Sequence, residues 1–501
     1  MKNQNTFLKL KWLGIDTQQE LVVFMPRNCH VCRAEGFQSL TRVMVSNHSR
    51  SIIATLNVTD SEILNQGEVS LSESAWKKFN AHEGDLIQIH HLPPLHSMGH
   101  VRAKIYGQQL DQQSYHEIIN DITEEKYSNV FLSSFVTACS GKMTSDEICF
   151  LTRAMIDSGN KIKWPQAVIA DKHSIGGLPG NRVTMLLVPI IASLGITIPK
   201  SSSRAITSPS GTADTMEVVT HVNLSSVEMK HVVEKENGCI VWGGAANMSP
   251  ADDIIIRVER ALDIDSEEQM IASIISKKAA AGATHCIIDI PFGESAKIRT
   301  LDGAVNFKNQ LEIVAAYVGV NVKSVITDGS QPIGNGIGPA LEARDVLRVL
   351  RNEKTLPTDL KEKSLKLSGA LIEMILKKSE TESYNLAKQQ LEDGSAYKKF
   401  IAICEAQGGF KEPVEAQFKN TVVAEKAGRF SFIQNRNLAR IAKLAGAPGE
   451  KTAGVDFFVQ LNQHVEMGQP LFEIHSQSQG ELNYALEFYH QNKNDILHIE
   501  D

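Results

Sequence analysis

The stretch DKHSIGGLPGN, residues 171–181, lies between an apolar run at 167–170 and a second at 182–194. The order predicts a strand, a glycine-rich loop and a helix. Glycines let backbone N–H groups approach an anion, and the N-terminus of the following helix adds partial positive charge. Lys172 supplies a full charge and Ser174 a hydroxyl donor. The lysine precedes the glycines and no G-K-[ST] follows, so this is not a Walker A loop. Nor does it carry the dinucleotide G-x-G-x-x-G spacing. Taken alone, such a turn is nearly as often structural as functional.

A second segment, SSSRAITSPSGTAD at 201–214, places seven hydroxyls and an arginine in its first twelve residues. A helical stretch follows at 213–219. One reading is a serine-rich loop with a good N-cap. Two hydroxyl-rich, helix-opening loops in one α/β unit favour another, in which both surround a phosphate and a sugar. Runs at 285–290 and 322–327 read as further buried strands, so a parallel sheet with covering helices is expected.

Outward from this unit, short branched runs at 21–25, 41–45, 51–58 and 86–90 predict a β-rich N-terminal domain, residues 1–92. HHLPPLHSMGH, residues 90–100, reads as a linker; its histidines match no metal-ligand spacing. Helices are expected from about 112 to 160. The clearest opens at Thr144, with Glu147 at capping-box spacing, an apolar stripe of Ile148, Leu151, Met155 and Ile156, and Gly159 placed to end it. Residues 249–283 read as helix again. The domains predicted are thus a split helical domain at 100–164 and 249–282, an α/β domain at 165–248 and 283–415, and a β-rich C-terminal domain at 420–501. The last has a barrel-sandwich pattern without a carrier lysine at a hairpin tip.

The 501 residues exceed one hydrophobic core, and 42% hydrophobic with 22% charged residues are globular values. A net charge of -7 argues against an extended nucleic-acid-binding face while leaving room for a local basic pocket. The N-terminus predicts no signal peptide, and the longest apolar run, 185–198, is too short for a bilayer. Seven scattered cysteines, including a lone C-x-x-C at Cys29 and Cys32, fit buried free thiols in a reducing cytoplasm.

DKHSIGG together with SSRAITSPSGTADTMEV closely resembles the signature of the thymidine/pyrimidine-nucleoside phosphorylase family. PADDIIIRVERALDID, IASIISKK and TDGSQPIGNGIGPALEARDV extend the resemblance over essentially the whole chain. The extra N-terminal domain and the reading SPSGT resemble its long branch, which holds archaeal AMP phosphorylases and bacterial proteins described as thymidine phosphorylases. The resemblance implies a helical domain facing a larger α/β domain across a cleft, and a homodimer or larger assembly. It implies that Lys172, Ser174, Ser202, Thr212 and Thr184 hold phosphate. Gly177, Ser203, Arg204, Ala205, Ile206, Thr207, Ser208, Ser273, Lys277 and Lys297 match positions that contact sugar, base or nucleotide. The arginine that contacts the pyrimidine in shorter members has no clean match; Arg257 is displaced and Val258 takes its place.

Phosphorolysis of an N-glycosidic bond puts positive charge on the sugar and negative charge on the departing base. Bound phosphate must be positioned without being fully neutralised, and the base leaves more readily if protonated. Asp265 is the first candidate for the acid and His173 the second; Lys172 places charge. No cofactor and no metal are expected, inorganic phosphate being a co-substrate. The expected reaction is thymidine plus phosphate to thymine and 2-deoxyribose 1-phosphate. The alternative is AMP phosphorolysis, with Arg204 and Lys297 meeting the 5′-phosphate. Competing readings are a Mg²⁺-dependent phosphoribosyl transfer and a non-enzymatic nucleotide-binding scaffold. Gly334, Gly336 and Gly338 in QPIGNGIGP suggest a closing loop, so that Gly336→Val is expected to slow turnover without unfolding.

Overall fold

The strand that delivers the glycine loop begins later than the apolar run suggests. In the computed structural model, which describes residues 7–17, 20–141, 143–205, 208–246, 249–264 and 266–500, it spans Ala170–Ser174. The strand continues through Asp171 and Lys172 because both side chains are buried, so their polarity does not end it. It pairs in parallel with His285–Phe292, which pairs in parallel with Asn321–Asp328 on its other side. A parallel bridge between Ile169 and Thr197 joins this sheet to the parallel pair Ile198–Ser202 and Gly238–Trp242. The helix Val183–Ser193 is apolar on all sides, and from Val183 to Ala192 every residue is buried. Together with Thr358–Leu376 it contributes much of the domain core. All five strands run the same way, so Ser174, Ser202, Trp242, Phe292 and Asp328 end on one edge, where open α/β sheets bind ligands.

The chain forms two compact units, one comprising residues up to Ser158 with Pro250–Gln269, the other Gly159–Ser249 with Met270–Asp501. The first holds a closed six-stranded barrel, in the order Leu8–Leu10, Glu68–Leu71, Val22–Pro26, Ser51–Thr59, Arg42–Ser46 and Leu86–His91. Closure leaves no free edge. The stretch at 90–100 is shorter as a linker than its composition suggests. Residues 90 and 91 finish the last barrel strand, and the helix Ser97–Ile105 starts within it. Helices Gln112–Thr123, Asn129–Cys139, Ser145–Asp157 and Pro250–Leu262 complete the helical part. The capping box at Thr144 forms, and the stripe Ile148, Leu151, Met155 and Ile156 is buried. Its Glu147 also accepts from buried Lys104 at 2.6 Å. The helix expected across 249–283 breaks at Asp263, whose φ of 52° is left-handed. It resumes as Glu267–Ala280.

The C-terminal part of the second unit holds two sheets. One has the order Gly336–Ile337, Gly454–Phe457, Pro470–Ser476, Phe418–Val423; the other His464–Val465, Gly428–Ile433, Leu497–Glu500. Two helices that the β-rich reading did not foresee, Asn435–Leu444 and Gln479–Ile496, bury one face each in the core beside these sheets. The glycine loop is not a free hinge, because Gly336 pairs with Asp456 in the first sheet. A Cβ at Gly336 would overlap the Leu341 backbone. The expectation for Gly336→Val is therefore corrected: the substitution destabilises the fold by roughly 1–3 kcal/mol through overpacking. A lowered thermal midpoint measures it, and an unchanged midpoint contradicts it. All seven cysteines are free and buried. Among the described residues, no helix is long and apolar enough to cross a membrane.

Candidate active site

Two buried carboxylates organise the strand ends. Asp289, in the middle of the apolar strand His285–Phe292, accepts from Ser174 Oγ at 2.8 Å, Asn181 Nδ2 at 3.0 Å and Thr327 Oγ1 at 2.7 Å. Lys363 Nζ lies 3.1 Å from the same carboxylate. Asp171 faces Lys278 Nζ at 2.9 Å and Lys200 Nζ at 3.4 Å, and accepts from the Lys172 N–H at 2.7 Å. Lys172, Lys200, Lys278 and Lys363 are all at most 8% exposed. Four buried lysines against two carboxylates leave the strand ends cationic. Buried charge without a partner is costly, so this surplus is a reason to expect a bound anion.

The electrostatics follow from that crowding. Burial lowers the Lys172 pKa to about 8, with Asp289 opposing and the other cations adding to the fall. Burial also brings Lys200 down to about 7, with Asp171 opposing and Lys278 repelling it. For Lys278 burial works against the charge, but the surrounding groups together, led by Asp171, hold the pKa up. His173 is pushed well below its ordinary value, first by burial and then by Lys278, Lys200, Lys277 and Lys172. Its imidazole is therefore neutral at neutral pH. A bound phosphate dianion would raise all of these groups again.

The loop after Ser202 is held from below by Asp214, which accepts from the N–H of Ala205 at 2.6 Å and of Gly211 at 2.9 Å. Ser208 Oγ donates to Ser210 O at 2.9 Å, and Ser203 O accepts from Ala213 N–H at 3.3 Å. Arg182, at the start of its helix, ties the two loops together. It donates to Ser210 O at 2.6 Å, to Thr215 Oγ1 at 2.9 Å and to Glu342. Gly177, at φ 82°, lets Lys297 lie close; a Cβ there would stand 3.0 Å from the Lys297 backbone nitrogen.

The expected residues divide accordingly. Lys172, His173, Ser174, Ser202 and Thr212 stand at the strand ends or helix starts on one edge. Ser202 Oγ is buried and, among the described residues, has no hydrogen-bond partner, so it can donate to an anion. Ser174 already donates to Asp289 and would have to turn to reach phosphate. Thr184 is buried in the first turn of Val183–Ser193. Ser273 and Lys277 share one face of Glu267–Ala280, and Lys277 bears on His173. Arg204 is a correction: its guanidinium is committed to Glu217 at 2.6 Å and Asp214 at 3.2 Å, over the Trp242 ring, and is not a spare phosphate ligand. Asp265, Ile206 and Thr207 lie outside the described residues. Val258 is buried and Arg257 exposed on their helix. The sequence reading missed Asp289, Lys200, Lys278 and Lys363. A charged residue inside an apolar strand signals the first two; Lys278 and Lys363 look like ordinary solvated helix lysines.

Among the described residues, no group of three or more His, Cys, Asp or Glu is placed to hold a metal ion. Residues 166–397 match the family model described as "Glycosyl transferase family, a/b domain" and 100–159 its "helical bundle domain". The sheet, the bundle and the cationic strand ends thus define a pentosyltransferase. Residues 430–494 match "Pyrimidine nucleoside phosphorylase C-terminal domain". A Legionella pneumophila protein (strain Philadelphia 1) named "Putative thymidine phosphorylase" is 53% identical over 98% of this chain and 95% of its own length. One of the same name from Hahella chejuensis is 49% identical over 98% and 97%. The chain belongs to the thymidine/pyrimidine-nucleoside phosphorylase family. In fold it is similar to the anthranilate phosphoribosyltransferase of Thermus thermophilus, with TM-score 0.53 and 18% identity over 61% of this chain and 98% of that one.

Proposed function

We propose that the chain catalyses phosphorolysis of thymidine to thymine and 2-deoxyribose 1-phosphate. The buried lysine surplus at the strand ends carries this reading, because it asks for a dianion where Ser202 offers an unpaired hydroxyl. Lys172, Ser202 and Thr212 hold phosphate, with Lys200 and Lys278 beside Asp171 adding positive field, and a phosphate oxygen attacks C1′ as the C1′–N bond breaks. The electron pair leaves on the base, which takes a proton. Since His173 is neutral, it acts as an N–H donor to the departing base, and Asp265 supplies the proton. No cofactor is invoked. A homodimer or larger assembly in the cytoplasm accompanies this reading; sedimentation tests the first.

A panel of nucleosides and 5′-monophosphates with inorganic phosphate, scored by free-base release, tests the substrate. Thymidine cleavage with AMP inert supports the proposal. Faster cleavage of AMP, lost in Lys297→Ala, moves the assignment to a nucleotide phosphorylase yielding ribose 1,5-bisphosphate. Arg204 no longer supports that alternative, and Lys297 beside Gly177 is what remains of it.

Two kinetic predictions belong here. Asp265→Asn depresses kcat by about 10²–10⁴-fold, more than it changes KM, and removes the acid's contribution to the pH–rate profile. If His173→Asn does so instead, the two roles exchange. The phosphate KM rises as pH climbs through about 8, because the free Lys172 ammonium is charged below that value and neutral above it. A phosphate KM that is flat from about pH 7 to about pH 9 contradicts the assignment.

A further inference from the structure

The C-terminal β domain touches the strand-end loops at several points. Asn435 donates to Gly329 O at 3.0 Å, and its N–H reaches Ser295 Oγ at 3.4 Å. Lys451 pairs with Glu217, the partner of Arg204, at 2.8 Å. Asn335 Nδ2 donates to Phe457 O at 2.8 Å, and Phe457 N–H to Asn335 O at 2.7 Å. The domain is therefore fastened to the loops that follow two of the parallel strands and to the helix Thr212–Val219 that follows a third.

One of these connections leads to the phosphate loop itself. Asp456 accepts two hydrogen bonds from Arg344, at 2.6 and 2.7 Å, a bidentate pair. The same guanidinium donates to Asp345 Oδ1 at 3.0 and 3.2 Å. The other oxygen of Asp345 accepts the N–H groups of Asn335 at 2.7 Å and Gly336 at 2.6 Å. That fixes the peptide run at 333–336. Ile333 N–H in turn donates to Pro179 O at 3.1 Å, and Gly180 packs so closely that a Cβ would overlap Ile333 O. Asn181, the next residue, holds Ser174 and Asp289.

We propose that Asp456 is a positioning residue for the phosphate loop, acting through Arg344, Asp345 and the 333–336 backbone. The inference rests on the phosphate assignment of the preceding section. Asp345 is 1% exposed, and burial pushes its carboxyl up while Arg344 opposes that push. Asp456 keeps the guanidinium oriented so that one arginine serves both carboxylates. Without the charge of Asp456, Arg344 can swing with Asp345, and the support under residues 179–181 loosens. The C-terminal domain thereby contributes to catalysis without touching substrate.

The test compares the full-length protein with Asp456→Asn and Asp456→Glu. Asp456→Asn is expected to raise the phosphate KM about tenfold while the nucleoside KM stays within about twofold, since misplacement of a binding loop weakens the group it holds. Amide exchange in 175–181 accelerates in the same variant, and Asp456→Glu recovers both readouts in large part. If Asp456→Asn does not fold, Arg344→Lys, which keeps the charge and loses the fork, serves in its place. Unchanged exchange in 175–181 overturns the proposal, as does a fall in kcat alone, proportional to the folded fraction. If the wild type binds no inorganic phosphate by calorimetry, the phosphate assignment fails as well. If it binds phosphate and the variants bind it equally, only the role of Asp456 fails.

Discussion

Lys172→Ala is expected to lower kcat/KM for phosphorolysis by about 10²–10³-fold, corresponding to about 2.7–4 kcal/mol for one lost charge-stabilising contact in a dry site. Lys172 is 2% exposed, so its charge is little screened by solvent. Its loss also reduces the surplus that draws the dianion in. The effect therefore appears first in the phosphate KM and then in kcat. Lys172→Arg recovers little, because a bulkier planar guanidinium places its donors differently from a compact ammonium. The measurement is initial rate against phosphate concentration at saturating nucleoside. Near-wild-type turnover at subsaturating phosphate refutes the role.

Asp289→Asn is expected to have the largest effect on stability, about 3–5 kcal/mol, because breaking a buried ion pair leaves uncompensated charge. The carboxylate is 0% exposed and holds Ser174, Asn181, Thr327 and Lys363 together. An amide keeps the size but presents one acceptor oxygen, so one of these donors is left unpaired. Lys172 and Lys363 also lose their nearest negative charge. The thermal midpoint falls, and phosphorolysis falls with it because Ser174 and Asn181 shift. High phosphate restores part of the midpoint, since a bound dianion supplies the missing negative charge and binds only the folded form. A midpoint equal to wild type means that Asp289 is not the organising group.

Much of the fold was legible because its signals are local. A strand, a glycine loop and an apolar helix in succession need only neighbouring residues to declare themselves, and so does the capping box at Thr144. The strand shift to Ala170–Ser174 shows where this stops. Asp171 and Lys172 look like loop residues until their partners Lys200, Lys278 and Asp289 arrive from 29 to 117 positions away. The loop at 331–338 misled for the same reason: glycines that suggest a hinge are in fact required by close contact with Leu341 and Ala453.

The sequence by itself determined the α/β class and the two hydroxyl-rich, helix-opening loops that hold Lys172 and Ser202; that both residues stand on strands came from the structure. The sequence did so because periodicity, glycine placement and hydroxyl density are properties of adjacent residues. Only the tertiary structure decided the charge balance of the site. Lys278 and Lys363 are ordinary helix lysines until packing removes them from water, and Arg204 is an ordinary phosphate ligand until Glu217 and Asp214 claim it. Desolvation depends on what surrounds a group in three dimensions, and a chain of residues does not state that.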